Sequence, residues 1–187
     1  LNNDKLESCV IHNGVPKNEF SRENYLNLKS NKANNSILKI GMVSRLSSDK
    51  GHEDLIMAFS KLPFRYKEKM IIIIVGEDEE GQKLKLKNLA FNLNLENKIE
   101  FLDYVDLDSK KIILSLDLLL SLTKSFEGFG LSIAEAMSVG TPILATDVGG
   151  VSEFFSDKYG KLIKSGEIEK IKDSLIDFCD NKKDWEE

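Results

Sequence analysis

The chain has 187 residues, of which 41% are apolar and 30% are charged, and its formal net charge is -5. This length is enough for one domain with a substantial core. The acidic balance excludes a general nucleic-acid binder, because such domains carry excess Lys and Arg to neutralise phosphates. The longest apolar runs, residues 71–75 and 116–122, are too short to span a bilayer. We therefore expect a cytoplasmic protein, with the inner face of the cytoplasmic membrane as an open alternative.

Residues 1–36 are polar and rich in Asn, Lys and Ser, apart from a short apolar stretch at residues 9–11 that predicts a strand before a turn. We interpret them as a hinge strand and linker region that precedes one domain over residues 37–187. The chain begins with Leu, so we expect it to be part of a longer protein. Cys9 and Cys179 show no zinc-ligand spacing and are predicted to be reduced thiols.

From residue 37 onward, short apolar runs alternate with amphipathic segments. The runs predict strands over residues 37–43, 70–75, 98–102, 117–122, 142–145 and 160–163. The segments between them predict helices over residues 50–62, 79–93, 109–114, 131–139, 151–155 and 168–179. This alternation, with short gaps, predicts a doubly wound parallel Rossmann-like α/β sheet. Ligands of such sheets bind at the carboxyl ends of the strands, so each loop that follows a strand is a candidate site.

The loop after the first predicted strand carries two cations, Arg45 and Lys50. Lys50 is predicted to begin a helix, where a positive charge opposes the helix macrodipole and is a poor choice for stability alone. An anion held by the helix amides and by both cations would explain it. The alternative is that both residues are ordinary solvated charges.

The loop after the strand at residues 117–122 has two glycines, Gly128 and Gly130, just before a helix. Backbone N–H groups there can approach a phosphate or sugar oxygen without an intervening side chain. Glu135 lies among Ala and Met in that helix, so its carboxylate needs a partner or a cavity. Glu127 stands at the loop mouth. Each glutamate could instead be structural, Glu127 as a helix-start acid and Glu135 on an exposed helix face.

A third loop contains Gly149 and Gly150 between a strand and a helix, which is a weak phosphate-binding signal by itself. Taken together, the segments from residue 13 to the end resemble the C-terminal domain of family-4 glycosyltransferases, also called glycosyl transferases group 1. The most specific part runs from Glu127 to Glu135 and looks like the paired-glutamate motif of that family. The Pro142 strand and the Gly149 turn follow in the family's order.

The resemblance implies one half of a two-domain GT-B glycosyltransferase, the half that binds a nucleotide-sugar donor. It implies that cations hold the diphosphate, that one glutamate accepts hydrogen bonds from the ribose, and that the other glutamate and the loop amides hold the sugar. The nucleobase would lie nearby. The residues that the resemblance assigns to these roles are Arg45 and Lys50 for the diphosphate, Glu135 for the ribose, Glu127 with Gly128, Phe129, Gly130 and Leu131 for the sugar and the nearby phosphate, and Tyr104, Val105 and Lys110 for the base. Glu127 is the residue to which the resemblance gives a catalytic role.

The resemblance further implies a retaining hexosyltransferase that needs no cofactor and no metal, because cationic side chains and helix ends neutralise the leaving diphosphate. The acceptor, a saccharide or a lipid-linked molecule in polysaccharide, lipopolysaccharide or glycolipid biosynthesis, would be held by an N-terminal domain that this chain lacks. The chain alone is therefore expected to be inactive, and peripheral membrane association of the full-length protein stays open. Two other functions also stay open, a non-catalytic nucleotide-sugar-binding module and a nucleotide-sugar epimerase of the same architecture.

Two positions depart from the family pattern. Acidic residues follow Gly76, where the family usually has a glycine-rich turn, and Asp103 stands where glycine is common before the base pocket. Both leave the identity of the nucleobase open. His12 and His52 lie in contexts unlike that of the family's catalytic His, and His52, next to Gly51 at a predicted helix start, is expected to be exposed.

Overall fold

The computed structural model describes residues 13–15, 37–78, 80–103 and 109–186. Within these ranges the strands are β1 Leu38–Val43, β2 Met70–Val75, β3 Ile99–Leu102, β4 Leu118–Ser121, β5 Ile143–Thr146 and β6 Gly160–Ile163. The helices are α1 His52–Ser60, α2 Phe64–Lys67, α3 Gln82–Asn92, α4 Ser109–Ser115, α5 Leu131–Val139, α6 Val151–Phe154, α7 Ile168–Asp180 and α8 Lys182–Glu186. Short 3₁₀ helices lie at Ser48–Lys50 and Asp157–Tyr159.

The strands form one parallel sheet in the order β3-β2-β1-β4-β5-β6. This is the strand order of a doubly wound Rossmann-like sheet, and it confirms the predicted fold class. The order reverses between β1 and β4, so the connections that leave these two neighbouring strands run in opposite directions across the sheet. A crevice is expected at this reversal, beyond the carboxyl ends of the strands.

Helices cover both faces of the sheet, and the strand residues alternate between two cores. Ile72 and Ile74 of β2 pack with residues of α1, α3 and α7 on one face. Ile73 and Val75 pack with residues of α4, α5 and α6 on the other. Because both faces of β2, β4 and β5 are buried, the sequences of these strands are almost continuous apolar runs. Across the described ranges, no helix is both long enough and apolar enough to cross a membrane.

The predicted strand limits differ from the observed ones by one residue at most. Helix α1 begins at His52 instead of residue 50, because Gly51 adopts a left-handed conformation with φ 78° and interrupts the chain after the 3₁₀ helix. Helices α2 and α8 were not predicted, since segments so short show no helical periodicity. The strand predicted at residues 9–11 lies outside the described residues.

Candidate functional site

A cavity of about 510 Å³ opens at the carboxyl ends of β1, β2 and β4, where the strand order reverses. Its volume is in the range of small-molecule sites. The structure brings together at this cavity most of the residues that the sequence singled out, namely Arg45, Lys50, Glu127, Gly128, Phe129, Gly130, Leu131 and Glu135. Five further polar side chains in its lining were not predicted as site residues, namely Asn13, Ser44, Glu77, Ser109 and Ser132.

The cationic side of the cavity is formed by the segment between β1 and α1. Arg45 follows the end of β1, and Lys50 closes the 3₁₀ helix. Lys50 therefore lies before Gly51 and outside α1, so the argument from the macrodipole of α1 was wrong for this residue. Its ammonium contacts carboxylates instead, with Nζ 2.9 Å from Glu127 Oε2 and 3.8 Å from Asp49 Oδ2. The hydroxyl of Ser47 and the nearby Lys50 ammonium hold the pKa of Asp49 below its usual value.

The loop that leads from β4 into α5 forms another part of the cavity wall. Gly130 caps α5 in a left-handed conformation with φ 75°, and Leu131 begins the helix. The first N–H groups of a helix have no partner within it, so the start of α5 offers donors and a positive dipole end to an anion. The ring of Phe129 stacks on Phe154 of α6, with 4.7 Å between ring centroids. This part of the cavity wall is thereby packed against α6.

Glu127 is held by hydrogen bonds from the β1–α1 segment and from its own loop. Lys50 Nζ and Thr123 Oγ1 both donate to its Oε2 atom, at 2.9 Å and 3.1 Å. Thr123 is 2% exposed, and its carbonyl accepts a 2.7 Å hydrogen bond from the hydroxyl of Thr146 at the end of β5. The carboxylate is therefore fixed at the mouth of the loop by groups that reach back into the sheet.

Glu135 is half-buried one turn into α5, with Oε1 accepting a 2.9 Å hydrogen bond from the hydroxyl of Ser109 at the start of α4. The sequence offered no signal for this contact, because a serine at a predicted helix start usually caps that helix. Lys110 follows Ser109 on α4 and does not line the cavity. Tyr104 and Val105 lie outside the described residues.

The glycine pair of the third loop plays a supporting role. Gly149 and Gly150 do not line the cavity. They pack against the backbone of the β4–α5 loop, where Gly150 N–H donates a 2.9 Å hydrogen bond to the carbonyl of Glu127. A Cβ atom added at Gly149 would lie 2.1 Å from that carbonyl oxygen. The glycines permit this close approach, which the sequence pattern cannot distinguish from a phosphate-binding turn.

His52 is buried, at 2% exposure, so the prediction of a surface position was wrong. As the first residue of α1 it lies directly behind the cavity lining, with Nε2 3.3 Å from the hydroxyl of Ser44. Burial disfavours the charged imidazolium and lowers the pKa of His52 from 6.5 to about 4. The ring is therefore neutral in the folded protein at physiological pH.

This depressed pKa predicts a loss of stability in mild acid. Below pH 6.5 the unfolded chain takes up a proton at His52 that the folded protein does not, so the free energy of unfolding falls until the pH reaches about 4. The expected contribution at pH 5 is a loss of about 2 kcal/mol relative to neutral pH. Urea unfolding at pH 5 and pH 7 measures it, with His52→Gln as the control that does not titrate. Equal losses in both proteins would contradict the assignment.

Among the residues described, no three His, Cys, Asp or Glu side chains form a group that could hold a metal ion. The charged groups that do converge on the cavity are the cations Arg45 and Lys50 and the carboxylates Glu77, Glu127 and Glu135. Two cations beside a helix N-terminus suit a phosphate group, and carboxylates suit the hydroxyls of a sugar.

Solved structures with the same fold include a protein in complex with UDP-glucose. The chain superposes on Anabaena HepE, solved in complex with UDP-glucose, with a TM-score of 0.73 and 27% identity over 88% of this chain and 44% of that one. The C-terminal domain of a glycosyl transferase group 1 protein from Francisella tularensis matches with a TM-score of 0.70 and 23% identity, and covers 89% of this chain and 86% of that one. At 23% identity, the similarity to the Francisella domain shows a shared fold and nothing more.

Among proteins similar in sequence, a glycosyltransferase of Methanocaldococcus jannaschii is 36% identical over 148 residues, which are 77% of this chain and 36% of the relative. Mannosylfructose-phosphate synthase of Agrobacterium fabrum is 36% identical over 125 residues, which are 64% of this chain and 27% of that enzyme. The chain thus spans well under half the length of these relatives. The family model for glycosyl transferases group 1 matches residues 26–187. The chain therefore belongs to the glycosyl transferases group 1 family.

Proposed function

We propose that the chain is the donor domain of a retaining glycosyltransferase, and that it binds a nucleoside diphosphate sugar for transfer to a saccharide or lipid-linked acceptor. The observation that supports this most directly is the convergence of Arg45, Lys50, Glu127 and Glu135 on one cavity at the reversal of the strand order. The similarity to HepE, solved with UDP-glucose and with UDP, makes a UDP-sugar the first donor to test.

In this proposal different groups of the cavity bind different parts of the donor. Arg45, Lys50 and the amides at the start of α5 hold the diphosphate and neutralise its charge as it leaves. Glu135, oriented by the Ser109 hydroxyl, accepts hydrogen bonds from the ribose. Glu127 and the amides of residues 128–131 hold the transferred sugar.

The second domain of such an enzyme would bind the acceptor and close the cleft. Closure would exclude water from the reacting sugar. The reaction is proposed to need no metal, because the cations of the cavity and the end of α5 supply the positive charge. Activity of the two-domain enzyme that persists in excess EDTA would agree with this proposal. Activity restored only by a divalent cation would contradict it.

The direct test is thermal stabilisation of the chain by nucleotides. A ligand that binds only the folded protein stabilises it by about 2.7 kcal/mol at 100 times its dissociation constant. For a domain of this size the expected rise in melting temperature is roughly 5–10 °C. UDP, GDP, ADP and their glucose or mannose conjugates would be compared at millimolar concentration, with inorganic phosphate as the control. No change with any of these nucleotides would count against the proposed site.

Loss of either cation should weaken this binding. Arg45→Ala and Lys50→Ala each remove a charge-assisted contact worth roughly 1.5–3 kcal/mol, which corresponds to about a 10- to 100-fold rise in the dissociation constant. Isothermal calorimetry with the nucleotide selected above measures the effect. Lys170→Ala is the matched control, because Lys170 is an exposed lysine on α7 that does not line the cavity. Unchanged affinity in both cavity variants would mean that neither cation holds the nucleotide.

A further inference from the structure

Lys50 and Glu127 form an ion pair with each other, although the proposed function assigns them to different parts of the donor. Lys50 Nζ lies 2.9 Å from Glu127 Oε2, and the two side chains are only 13% and 21% exposed. An ion pair at this depth is screened less by solvent than a surface pair. A phosphate that takes Lys50 as its partner must therefore offset the weakening of this pair.

The Glu127 carboxylate is also held in place by a residue of its own loop. Buried Thr123 donates a hydrogen bond of 3.1 Å to the same oxygen that Lys50 contacts. The Thr123 carbonyl is itself bonded to Thr146. Glu127 is thus kept beside Lys50 by a side chain whose own position is fixed, and its negative charge stays close to any phosphate that binds this lysine.

We propose that Glu127 is an internal competitor of the donor's diphosphate for Lys50, and that this competition makes the site prefer the intact sugar nucleotide to the free nucleoside diphosphate. An intact donor replaces both partners, since phosphate oxygens contact Lys50 while sugar hydroxyls donate to Glu127. A free nucleoside diphosphate replaces only the first, and it brings its terminal phosphate close to a carboxylate of the same sign. The competition therefore favours donor binding and product release.

This inference rests on the proposed function, and Thr123 has a defined part in it as a positioning residue. Its hydroxyl keeps the Glu127 carboxylate where it repels the free diphosphate. Removing the hydroxyl lets the carboxylate move away without removing its charge. Removing the Thr123 hydroxyl should therefore raise the affinity for the free diphosphate, as removing the Glu127 charge does, but by a smaller factor.

The experiment is calorimetric titration with UDP and UDP-glucose, or with the GDP or ADP pair where the thermal comparison selects it. Glu127→Gln should bind the free nucleoside diphosphate about tenfold more tightly than the wild type and should lose most of the preference for the sugar conjugate. Thr123→Val should bind the free diphosphate about threefold more tightly. The second variant keeps the test informative if the first one fails to fold.

The matched control is Asp54→Asn, which removes a carboxylate from another half-buried ion pair, that of Asp54 with Lys124 at 3.1 Å. This pair lies outside the cavity lining, so the ratio of the two affinities should stay at the wild-type value. Weaker or unchanged binding of the free diphosphate by Glu127→Gln, with the preference retained, would overturn the inference and leave the proposed function standing. A wild-type chain that binds neither ligand of any pair would overturn both.

Discussion

Glu127→Gln is expected to lower the turnover of the two-domain enzyme by about 10²-fold or more without weakening nucleoside diphosphate binding. The reason is the position of Glu127 at the mouth of the β4–α5 loop, beside the amides that would face the transferred sugar. Positive charge develops on the sugar as its bond to the diphosphate breaks, so a fixed carboxylate there stabilises the transition state more than the ground state. The neutral amide of Gln keeps the shape of the side chain and loses this stabilisation.

Glu135→Gln should have a different effect, because Glu135 lies deeper along α5 and is bonded to Ser109. The proposed contacts of Glu135 with the ribose would be the same in the ground state and in the transition state, so their loss is expected to raise the Michaelis constant and to leave turnover nearly unchanged. Steady-state kinetics of both variants, with calorimetric binding of the diphosphate alongside, separate the two roles. A Glu127→Gln enzyme that loses diphosphate affinity and keeps its turnover would show that the roles are reversed. No change in either variant would make both glutamates structural.

Gly149→Ala is expected to lower the free energy of unfolding by about 3 kcal/mol or more. Gly149 has φ 59°, in the left-handed region, and a Cβ atom would lie 2.1 Å from the carbonyl oxygen of Glu127. Neither atom can move by a change of side-chain rotamer, so the backbone of one loop must shift. Because the displaced loop leads into the amides at the start of α5, which are proposed to hold the diphosphate, the variant should also lose nucleotide binding.

The matched control for this prediction is Gly81→Ala. Gly81 has a similar φ of 67°, but a Cβ atom there would have nothing within 4 Å. Its substitution carries only the conformational cost of the left-handed region, about 1 kcal/mol. Urea unfolding of the two variants and the wild type measures the difference. Equal losses in the two variants would mean that the close approach at Gly149 contributes nothing.

The sheet was predictable because most of its inner strands are buried on both faces. The apolar run at Met70–Val75 and the helix at Leu131–Val139 were predicted with the limits that the structure has. The sequence also placed the candidate site at the loops after the strands, since parallel strands bring their carboxyl ends to one edge. These results depend on periodicity and topology, which are properties of the chain itself.

Contacts between segments were not predictable in the same way. A hydroxyl such as that of Thr123 or Ser109 gains a role only when the fold brings a particular carboxylate within hydrogen-bonding distance. The sequence does not show which carboxylate that is. His52 was misplaced for the same reason, since its position next to a glycine at a helix start says nothing about the space behind Ser44. Gly149 looked like part of a phosphate-binding turn because close approach to a backbone and close approach to a ligand both require glycine.

The β4–α5 loop is fixed by backbone contacts from several directions. The amide of Lys124 donates to the carbonyl of Asp49 at 2.6 Å, and the carbonyl of Lys124 accepts from the hydroxyl of Ser165 at 2.8 Å. The carbonyl of Glu127 accepts from the amide of Gly150 at 2.9 Å. During evolutionary divergence, side chains that face the cavity can be exchanged one at a time on such a backbone. An insertion in any of the joined segments would displace Glu127 instead. Relatives that use different sugars should accordingly differ in cavity side chains and keep the lengths of these loops.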